Sequence, residues 1–475
     1  MRKPSKPIVI ALLALLTSGC MVGPDYVRPP VETPTAWRLS EQDARDLANT
    51  VWWEQLGDPV LNDLVATALH ENKDLMIAAA RVDQFAGNYG IVRSGLFPQV
   101  GAGYEVRRQR DVSAVVVGAG GDETYNSYNA VLNASWEIDI WGRIRRQTEA
   151  ARAQLLASEE GRRGVILSLV GSVAGAYINL RDLDRQLEIA RATAKSRGES
   201  YEIFKLRFEG GIISVLELSQ NRSQYEEALA TIPPLEKAIA QQENGLSVLL
   251  GRNPGPIPRG KDIDHLTLPA IPAGLPSDLL ERRPDIRRTE QDLIAANALI
   301  GAAKAAYFPT ISLTGLFGYA STSLSNLFDS QSKVWSYGAP ITMPIFTAGA
   351  IAGQVQAAEA QQQQALFAYQ KAIQEAFREV NDALISQNRT REQLKAQRRQ
   401  VEALQQYAAT ARLRYDNGYT SYIEVLDAER SLFNVQLQYT QTQQIEFQSL
   451  INLYLAMGGG WVSEAEKVAN TTGAQ

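Results

Sequence analysis

The sequence predicts a mixed α and β membrane protein made of two tandem copies of one supersecondary unit. Two observations carry this prediction: a long internal repeat, and segments of alternating residues that are followed by long proline-free segments. In the repeat, Leu206–Glu217 (LRFEGGIISVLE) reappears as Leu413–Glu424 (LRYDNGYTSYIE). A period of roughly 200 residues is far longer than the about 20–50 residues of a solenoid unit, so two large structural blocks are expected.

The alternating segments predict two β-hairpins, at about 98–141 and about 309–346. Apolar and aromatic residues alternate there with glycine and polar residues over about ten positions, which is typical of outer-membrane barrel strands with apolar-out, polar-in faces. A soluble sheet packed on helices is the alternative. The aromatic residues are interpreted as anchors at the lipid interface. They are Tyr128, Trp136, Trp141, Trp335 and Tyr337.

Each hairpin precedes a long helical segment, Arg143–Phe208 and Ile351–Tyr415. At about 1.5 Å per residue, a helix of about 65 residues is roughly 100 Å long. Helices of this length need neighbours along a coiled-coil seam. The expected neighbours are the returning helices Ser214–Leu250 and Ser421–Met457, each reached through a tight tip.

Four strands are too few to close a membrane barrel, because the smallest single-chain barrels have eight strands. An open sheet edge leaves unpaired amides, which lipid does not tolerate. The chain is therefore expected to share its strands with copies of itself. Three copies would supply twelve strands, whereas two would supply eight and leave little room for a channel. The long helices would extend the resulting tube as an α-helical coil.

The N-terminus predicts an exported, lipid-anchored protein. Basic residues precede the short apolar run Ile8–Leu16, and small residues then lead to Cys20. This is the pattern of a secretory signal over residues 1–19. Cys20 after Ser-Gly resembles a lipobox cysteine, although Thr17 stands where leucine is usual. An ordinary signal peptide cut nearby is the alternative. No run of 18 apolar residues follows, so no membrane-spanning α-helix is expected.

Composition and charge exclude several other classes. The chain is 45% hydrophobic and 21% charged with a net charge of −5, so it should fold, and no basic stripe suggests a nucleic-acid partner. Its two histidines, His70 and His265, stand apart, and Cys20 is its single cysteine. No catalytic residue, metal site, cofactor or disulfide is therefore predicted, and the protein is not expected to be an enzyme.

The predicted organisation follows the repeat, with six prolines between the halves marking a linker. The predicted segments are a signal peptide at 1–19, a lipidated extended segment at 20–59, a first repeat at 60–250 with its tip near 209–213, a linker at 251–276, a second repeat at 277–458 with its tip near 416–420, and a tail at 459–475.

Several motifs together resemble the TolC-like outer-membrane efflux lipoproteins, close to the OprM/NodT group of outer membrane factors. The motifs are Cys20–Pro29 (CMVGPDYVRP), Trp52-Trp53-Glu54, Asp58-Pro59, Asp139–Arg143 (DIWGR) and the Leu-Arg-x-x-x-Gly of both tips. The resemblance implies a homotrimer in outer-membrane lipid, with a twelve-stranded barrel and a periplasmic α-helical tunnel. It implies the exit duct of a tripartite pump, whose partners are a periplasmic membrane-fusion adaptor and an inner-membrane transporter of the resistance–nodulation–division class. A duct for type I protein secretion or metal-ion efflux, and a purely structural coiled coil on a lipid anchor, are the alternatives.

The tips contain the candidate docking residues. A helix reverses at Gly211 and at Gly418, a position that favours positive φ and hence glycine. Ser214 and Ser421 each begin a Ser-x-x-Glu capping box. The resemblance implies that the tips meet the adaptor through Gly210, Gly211, Ser214, Asn417, Gly418 and Ser421.

The candidate periplasmic gate consists of Asp427, Tyr415, Arg414 and Glu424. The resemblance places a gate aspartate at Asp427, where three copies would ring the axis of a trimer. A solvated aspartate on a polar helix face is the alternative. Glu424 fits the capping box better than the pore, and which of the two carboxylates dominates the constriction is left open.

Overall fold

The computed structural model describes residues 21–30, 51–111, 123–269, 279–459 and 461–471. These residues pack into two units. The strand unit contains the described parts of 21–30, 81–159 and 288–370. The helical unit contains those of 51–80, 160–287 and 371–471. Each unit therefore contains residues of both predicted repeats. The repeat boundaries describe the order of segments along the sequence, and they stay a prediction.

The helices and strands follow the predicted order. They are α1 (Pro59–Glu71), α2 (Lys73–Ser94), β1 (Gln99–Asp111), β2 (Glu123–Ile138), α3 (Arg143–Glu209), α4 (Val215–Leu249), α5 (Pro284–Ala305), β3 (Thr310–Ser321), β4 (Lys333–Gly338), β5 (Ile341–Thr342), α6 (Ala350–Asp416), α7 (Tyr422–Ala456) and α8 (Val462–Thr471). The matching long helices have equal lengths: α3 and α6 contain 67 residues each, and α4 and α7 contain 35 each.

The strand unit contains one antiparallel sheet in the order β1–β2–β3–β4, with β5 also paired to β3. Both predicted hairpins are present, but the last strand is interrupted. β4 ends at Gly338, and only Ile341 and Thr342 continue the pairing as β5. Pro340 and Pro344 explain the interruption, because proline has no backbone N–H to donate to a sheet.

One face of this sheet is apolar and exposed. The register aligns Ala102 with Leu132, Leu132 with Phe317, and Phe317 with Trp335 on this face. Leu132, Phe317 and Trp335 are all exposed, although side chains of this size are normally covered. Neighbouring positions point to the other face, which carries polar residues such as Glu105. This is the predicted dyad pattern of a membrane barrel strand.

The N-terminal segment 21–30 is bonded to several residues of the strand unit, and the buried Arg146 makes several of these bonds. Arg146 donates from Nη2 to Asp25 Oδ1 (2.7 Å) and Gly23 O (3.2 Å), and from Nε to Val22 O (3.3 Å). Its Nη1 donates to Glu149 Oε2 at 2.9 Å. A buried guanidinium with all of these acceptors is well satisfied, so the segment has a defined position on α3.

The helical unit has an aromatic core at its N- and C-terminal segments. Trp52, Trp53, Tyr454 and Trp461 are buried, and Trp52 stacks on Tyr454 with ring centroids 5.3 Å apart. Asp58 connects the predicted linker to this unit by a hydrogen bond. Asp58 Oδ2 accepts from Tyr177 Oη (2.7 Å) and from the backbone N–H of Lys261 (3.0 Å). The described part of the linker is thus bonded to buried polar groups.

The apolar periodicity from Val60 to about Gly95 predicts one amphipathic helix, and this prediction is wrong in one respect, because the helix is broken at Asn72. Asn72 has an extended backbone and ends α1. Its Oδ1 accepts from the backbone N–H of Leu75 (2.9 Å), and its Nδ2 donates to Leu249 O (2.9 Å). An asparagine that caps a new helix and bonds a distant carbonyl favours a break over a continuous helix.

By length and composition, one described helix could cross a membrane. The helix is α3, which contains an 18-residue window of mean hydropathy 1.4, and 56% of that window is buried inside the fold. α3 contributes Val173, Tyr177 and Ile178 to the core of the helical unit, where all three are fully buried. Its apolar content is therefore explained by packing.

Candidate functional site

The two helix reversals of the helical unit have the same backbone. Gly211 has φ +72° and Gly418 has φ +74°, which confirms the predicted positive φ at both tips. At the first tip, Ile212 N–H donates to Arg207 O (2.8 Å) and Gly211 N–H to Phe208 O (2.9 Å). These are the two bonds of a Schellman motif, and the second tip repeats both of them. Each glycine is therefore required by the reversal itself.

The predicted capping box is present at the first tip. Glu217 N–H donates to Ser214 Oγ (3.3 Å), and Ser214 N–H donates to Glu217 Oε2 (2.9 Å). The prediction is wrong for the second tip, where the Ser421 side chain makes no capping bond. There the Glu424 carboxylate accepts from Thr420 Oγ1 instead. Ile213 precedes Ser214 at the first tip and has no hydroxyl to compete for the glutamate.

An aromatic cluster packs the two tips together. Phe204 lies 4.2 Å from Tyr422 between ring centroids, and Tyr415 lies 5.0 Å from Tyr422. Tyr422 Oη accepts from Asn221 Nδ2 at 2.7 Å, and burial raises the pKa of the Tyr422 phenol to about 12. Arg207 Nη1 donates to Tyr415 Oη at 3.3 Å. Tyr415, a predicted gate residue, is thus part of this aromatic cluster.

Asp427 lies on α7 beyond this cluster. Its Oδ1 accepts from Arg430 Nη2 at 2.9 Å, and both side chains are 53% exposed. Sequence reasoning did not identify Arg430 as the partner, although a spacing of three residues on a helix indicates the contact. The pair borders a groove of about 350 Å³, whose other lining residues are Gln220, Ser223, Gln224, Ile423 and Leu426.

The other two predicted gate residues form a second, looser pair. Arg414 Nη1 lies 3.9 Å from Glu424 Oε1, and both side chains are partly exposed. An exposed pair at this distance contributes about 0–1 kcal/mol to stability. The four predicted gate residues are therefore divided among the Asp427–Arg430 pair, the Arg414–Glu424 pair and the aromatic cluster.

The tips also expose apolar side chains that sequence reasoning missed. They occur at matching positions of the repeat, as Leu206 and Leu413, Ile212 and Tyr419, and Leu216 and Ile423. All six are between 61% and 78% exposed. The repeated motif itself carried the signal, because an apolar residue occurs in both copies at each of these positions. Such a patch on a protein surface indicates a contact with another molecule.

The remaining site predictions concern metals and the lipid anchor. Among the described residues, no group of three histidine, cysteine, aspartate or glutamate side chains could hold a metal ion. His265 Nδ1 lies 2.6 Å from Asp262 Oδ1 in an exposed pair. Cys20, the predicted lipidation site, lies outside the described residues.

The chain is similar to one known protein family over most of its length. The model of the outer membrane efflux protein family matches residues 64–252 and 275–459. The toluene efflux pump outer membrane protein TtgF of Pseudomonas putida is 38% identical over 461 residues, which cover 94% of this chain and 96% of the relative. The cation efflux system protein CusC of Escherichia coli is 37% identical over 458 residues, which cover 94% and 97%.

Solved structures of outer membrane channels are also similar to this chain. The open state of the MtrE outer membrane channel of Neisseria gonorrhoeae has a TM-score of 0.84 at 32% identity, and the match covers 93% of this chain and 99% of MtrE. The outer-membrane channel OprN has a TM-score of 0.86 at 28% identity, and the match covers 93% and 100%. The similarity therefore extends over almost the full length of each structure.

Proposed function

The chain belongs to the outer membrane efflux protein family, and on that premise we propose that it is the exit duct of a tripartite efflux pump. The observation that carries this proposal is the sheet of the strand unit, which exposes one apolar face. A bilayer covers such a face, whereas water would leave it unfavourably solvated. The duct passes small molecules such as drugs or toxic compounds through the bacterial outer membrane to the exterior.

A closed barrel requires several copies of the chain. Among the described strands, β1 pairs only with β2, and β4 and β5 pair only with β3, so both sheet edges are open. Members of the family form trimeric channels that work with adaptors and inner-membrane transporters. Three copies of this chain would close twelve strands into one barrel, which satisfies the edge amides and leaves a lumen.

The two tips are proposed to bind the periplasmic membrane-fusion adaptor. Support comes from the exposed apolar residues at matching positions, such as Leu216 and Ile423, around the reversals at Gly211 and Gly418. Because both tips have the same backbone and similar apolar residues, a trimer would offer six nearly equivalent docking surfaces. Through the adaptor, the duct would receive substrates from an inner-membrane transporter of the resistance–nodulation–division class.

The periplasmic end is proposed to be closed by the ion pairs of α7. In a trimer, three Asp427–Arg430 pairs would surround the axis, with the Arg414–Glu424 pairs next to them. Carboxylates that approach one another across a narrow opening repel, so each needs a cation or an arginine nearby. Arg430 supplies that charge, and removal of either partner would loosen the constriction.

Planar-bilayer conductance of the purified mature protein tests both the duct and its gate. We expect a small conductance for the wild type and a larger one for Asp427→Ala. The matched control is Asp382→Ala, which removes an exposed aspartate that pairs with Arg378 at 3.3 Å on α6 and lies outside the tips. Its conductance should equal that of the wild type.

The possible outcomes separate the two proposals. Equal conductance of all three proteins would retain the duct and reject the gate assignment of Asp427. Absence of conductance from all three, with inserted trimers verified by cross-linking, would reject the duct itself.

Metal-ion efflux is a second candidate, because one relative is the cation efflux system protein CusC. The identity to CusC is 37% and that to TtgF is 38%, so similarity favours neither cargo. A passive duct does not need to bind its cargo. Expression in a strain that lacks its own duct, followed by challenge with organic solvents and with metal salts, distinguishes the two. Rescue against metal salts alone would assign metal efflux.

The lipid anchor on Cys20 is likewise proposed from the lipobox pattern. Mass spectrometry of the N-terminal peptide of the mature protein tests it directly. A peptide that begins at Cys20 and carries acyl chains is the expected result, and an unmodified peptide would contradict the anchor.

A further inference from the structure

Cations continue the apolar face of the sheet at the C-terminal end of β1 and at the N-terminal end of β4. These ends adjoin the loops within the two hairpins and are called the loop-side ends. Along β1, Val100, Tyr104, Val106 and Arg108 lie on the same face, because side chains alternate with a period of two. Arg108 is exposed and pairs in register with Asn126 of β2. The row of lipid-facing side chains therefore changes from apolar to basic within two residues.

Lys333 lies at the loop-side end of β4. It is the first residue of that strand and faces Tyr319 in register, on the same side as Trp335. Among the described residues, no ion pair involves Lys333 or Arg108. Both cations are thus exposed at the side of the sheet where the loops connect the strands.

The length of the apolar band shows where these cations lie relative to a bilayer. On β2, the apolar face extends from Ile138 to Tyr128, which is about 33 Å along the strand at about 3.3 Å per residue. With a strand tilt of about 40°, that corresponds to about 25 Å of height, which equals the apolar band of an outer-membrane barrel. Asn126, and with it Arg108, lies just beyond this band, at the depth of the lipid headgroups. Lys333 pairs with Tyr319, which pairs with Ala130, so its backbone lies inside the band, and its aliphatic stem would extend the ammonium toward the headgroups.

We propose that Arg108 and Lys333 bind the phosphate groups of lipid A in the outer leaflet, an inference that rests on the proposed function. The loop-side end of the sheet then faces the cell exterior, where the leaflet consists of phosphorylated glycolipid. Charge complementarity supports this occupant over a neutral lipid. The guanidinium of Arg108 can bind a phosphate with two parallel bonds, while the aliphatic stems of both residues cover apolar surface.

Arg107 provides an internal control. It is adjacent to Arg108 on β1 but lies on the opposite, polar face, where its Nη2 is 2.9 Å from Glu105 Oε1. Both side chains of this pair are more than half exposed. Arg107 has the same charge as Arg108 and lies next to it on the same strand, but it faces away from lipid and is paired with Glu105.

The test is binding of purified lipid A to the trimer in detergent micelles, measured by microscale thermophoresis. At about fivefold for each surface cation, Arg108→Gln with Lys333→Gln should weaken binding about 25-fold. Arg107→Gln should stay within about twofold of the wild type, because its guanidinium faces the lumen. Fully dephosphorylated lipid A and phosphatidylglycerol serve as comparison lipids, and both should bind the wild type more weakly than lipid A.

Three results would overturn the proposal. They are an equal loss in Arg107→Gln, equally tight binding of dephosphorylated lipid A, and equally tight binding of phosphatidylglycerol. Bilayer conductance of the same preparations is recorded in parallel. Channels in the double variant would show that it folds and inserts, and lack of conductance in the wild type would reject the proposed duct independently of the lipid result.

Discussion

Replacement of Asp182 by asparagine is expected to stabilise the protein at neutral pH. Asp182 lies on α3 and is 4% exposed. Its Oδ2 accepts from Gln186 Nε2 at 2.7 Å. Burial raises the pKa of the Asp182 carboxyl from 3.8 to about 6, and hydrogen bonds from Gln186 and Thr440 oppose that rise only in part. At pH 7.5 the folded protein therefore contains a buried carboxylate, and its ionisation destabilises the folded state relative to the unfolded state.

The raised pKa sets the size and sign of the effect. A rise from 3.8 to about 6 corresponds to about 3 kcal/mol, at 1.36 kcal/mol per pH unit. Because the folded state binds this proton more tightly than the unfolded state, the unfolding free energy rises as pH falls. The rise is about 1 kcal/mol between pH 7.5 and pH 5, and it is complete below the unfolded pKa.

Asparagine has nearly the same shape as aspartate and no charge, so it removes the free-energy cost of burying the Asp182 charge. We expect Asp182→Asn to be more stable than the wild type at pH 7.5, by at most about 3 kcal/mol because the new amide N–H2 takes the place of a buried oxygen without a hydrogen-bond partner, and the advantage should be about 1 kcal/mol smaller at pH 5. Urea unfolding in detergent, followed by tryptophan fluorescence, measures both. The buried Trp52 and Trp461 report on the same helical unit.

Asp184→Asn is the matched control, two residues away on α3. Asp184 accepts from Arg181 Nη1 (2.6 Å) and from Arg259 Nε (3.1 Å), so its removal leaves two arginines without that partner. That variant should be less stable than the wild type at pH 7.5, whereas Asp182→Asn should be more stable. If Asp182→Asn is destabilising at pH 7.5, or has the same pH dependence as the wild type, the reasoning is refuted.

Further predictions concern the tips and the linker, and urea unfolding measures each of them. Ser214→Ala should cost about 1 kcal/mol through its lost cap, whereas Ser421→Ala should be close to neutral; equal costs would contradict the asymmetry of the two tips. Gly211→Ala should cost about 1–2 kcal/mol from positive φ alone, since the space around it is open. Tyr177→Phe should cost about 1–3 kcal/mol, because its hydroxyl bonds Asp58; an unchanged midpoint would show that this bond is dispensable.

Much of the architecture could be predicted from the sequence because it depends on local periodicity. The strand alternation around Trp136, the proline-free helices and the tip glycines each reflect a backbone rule that acts over a few residues. The open edges of four strands then required several copies of the chain. The family followed from motifs of adjacent residues, such as Asp139–Arg143.

Only the tertiary structure decided which partner each polar side chain has. Sequence spacing assigned the same cap to Ser421 as to Ser214, but the hydroxyl of Thr420 takes the Glu424 carboxylate. The break at Asn72 depends on Leu249 O, 177 residues away in sequence. Burial of a group such as Asp182 is equally a property of packing. Hydrogen bonding and desolvation depend on distances in space, and local sequence patterns do not contain those distances.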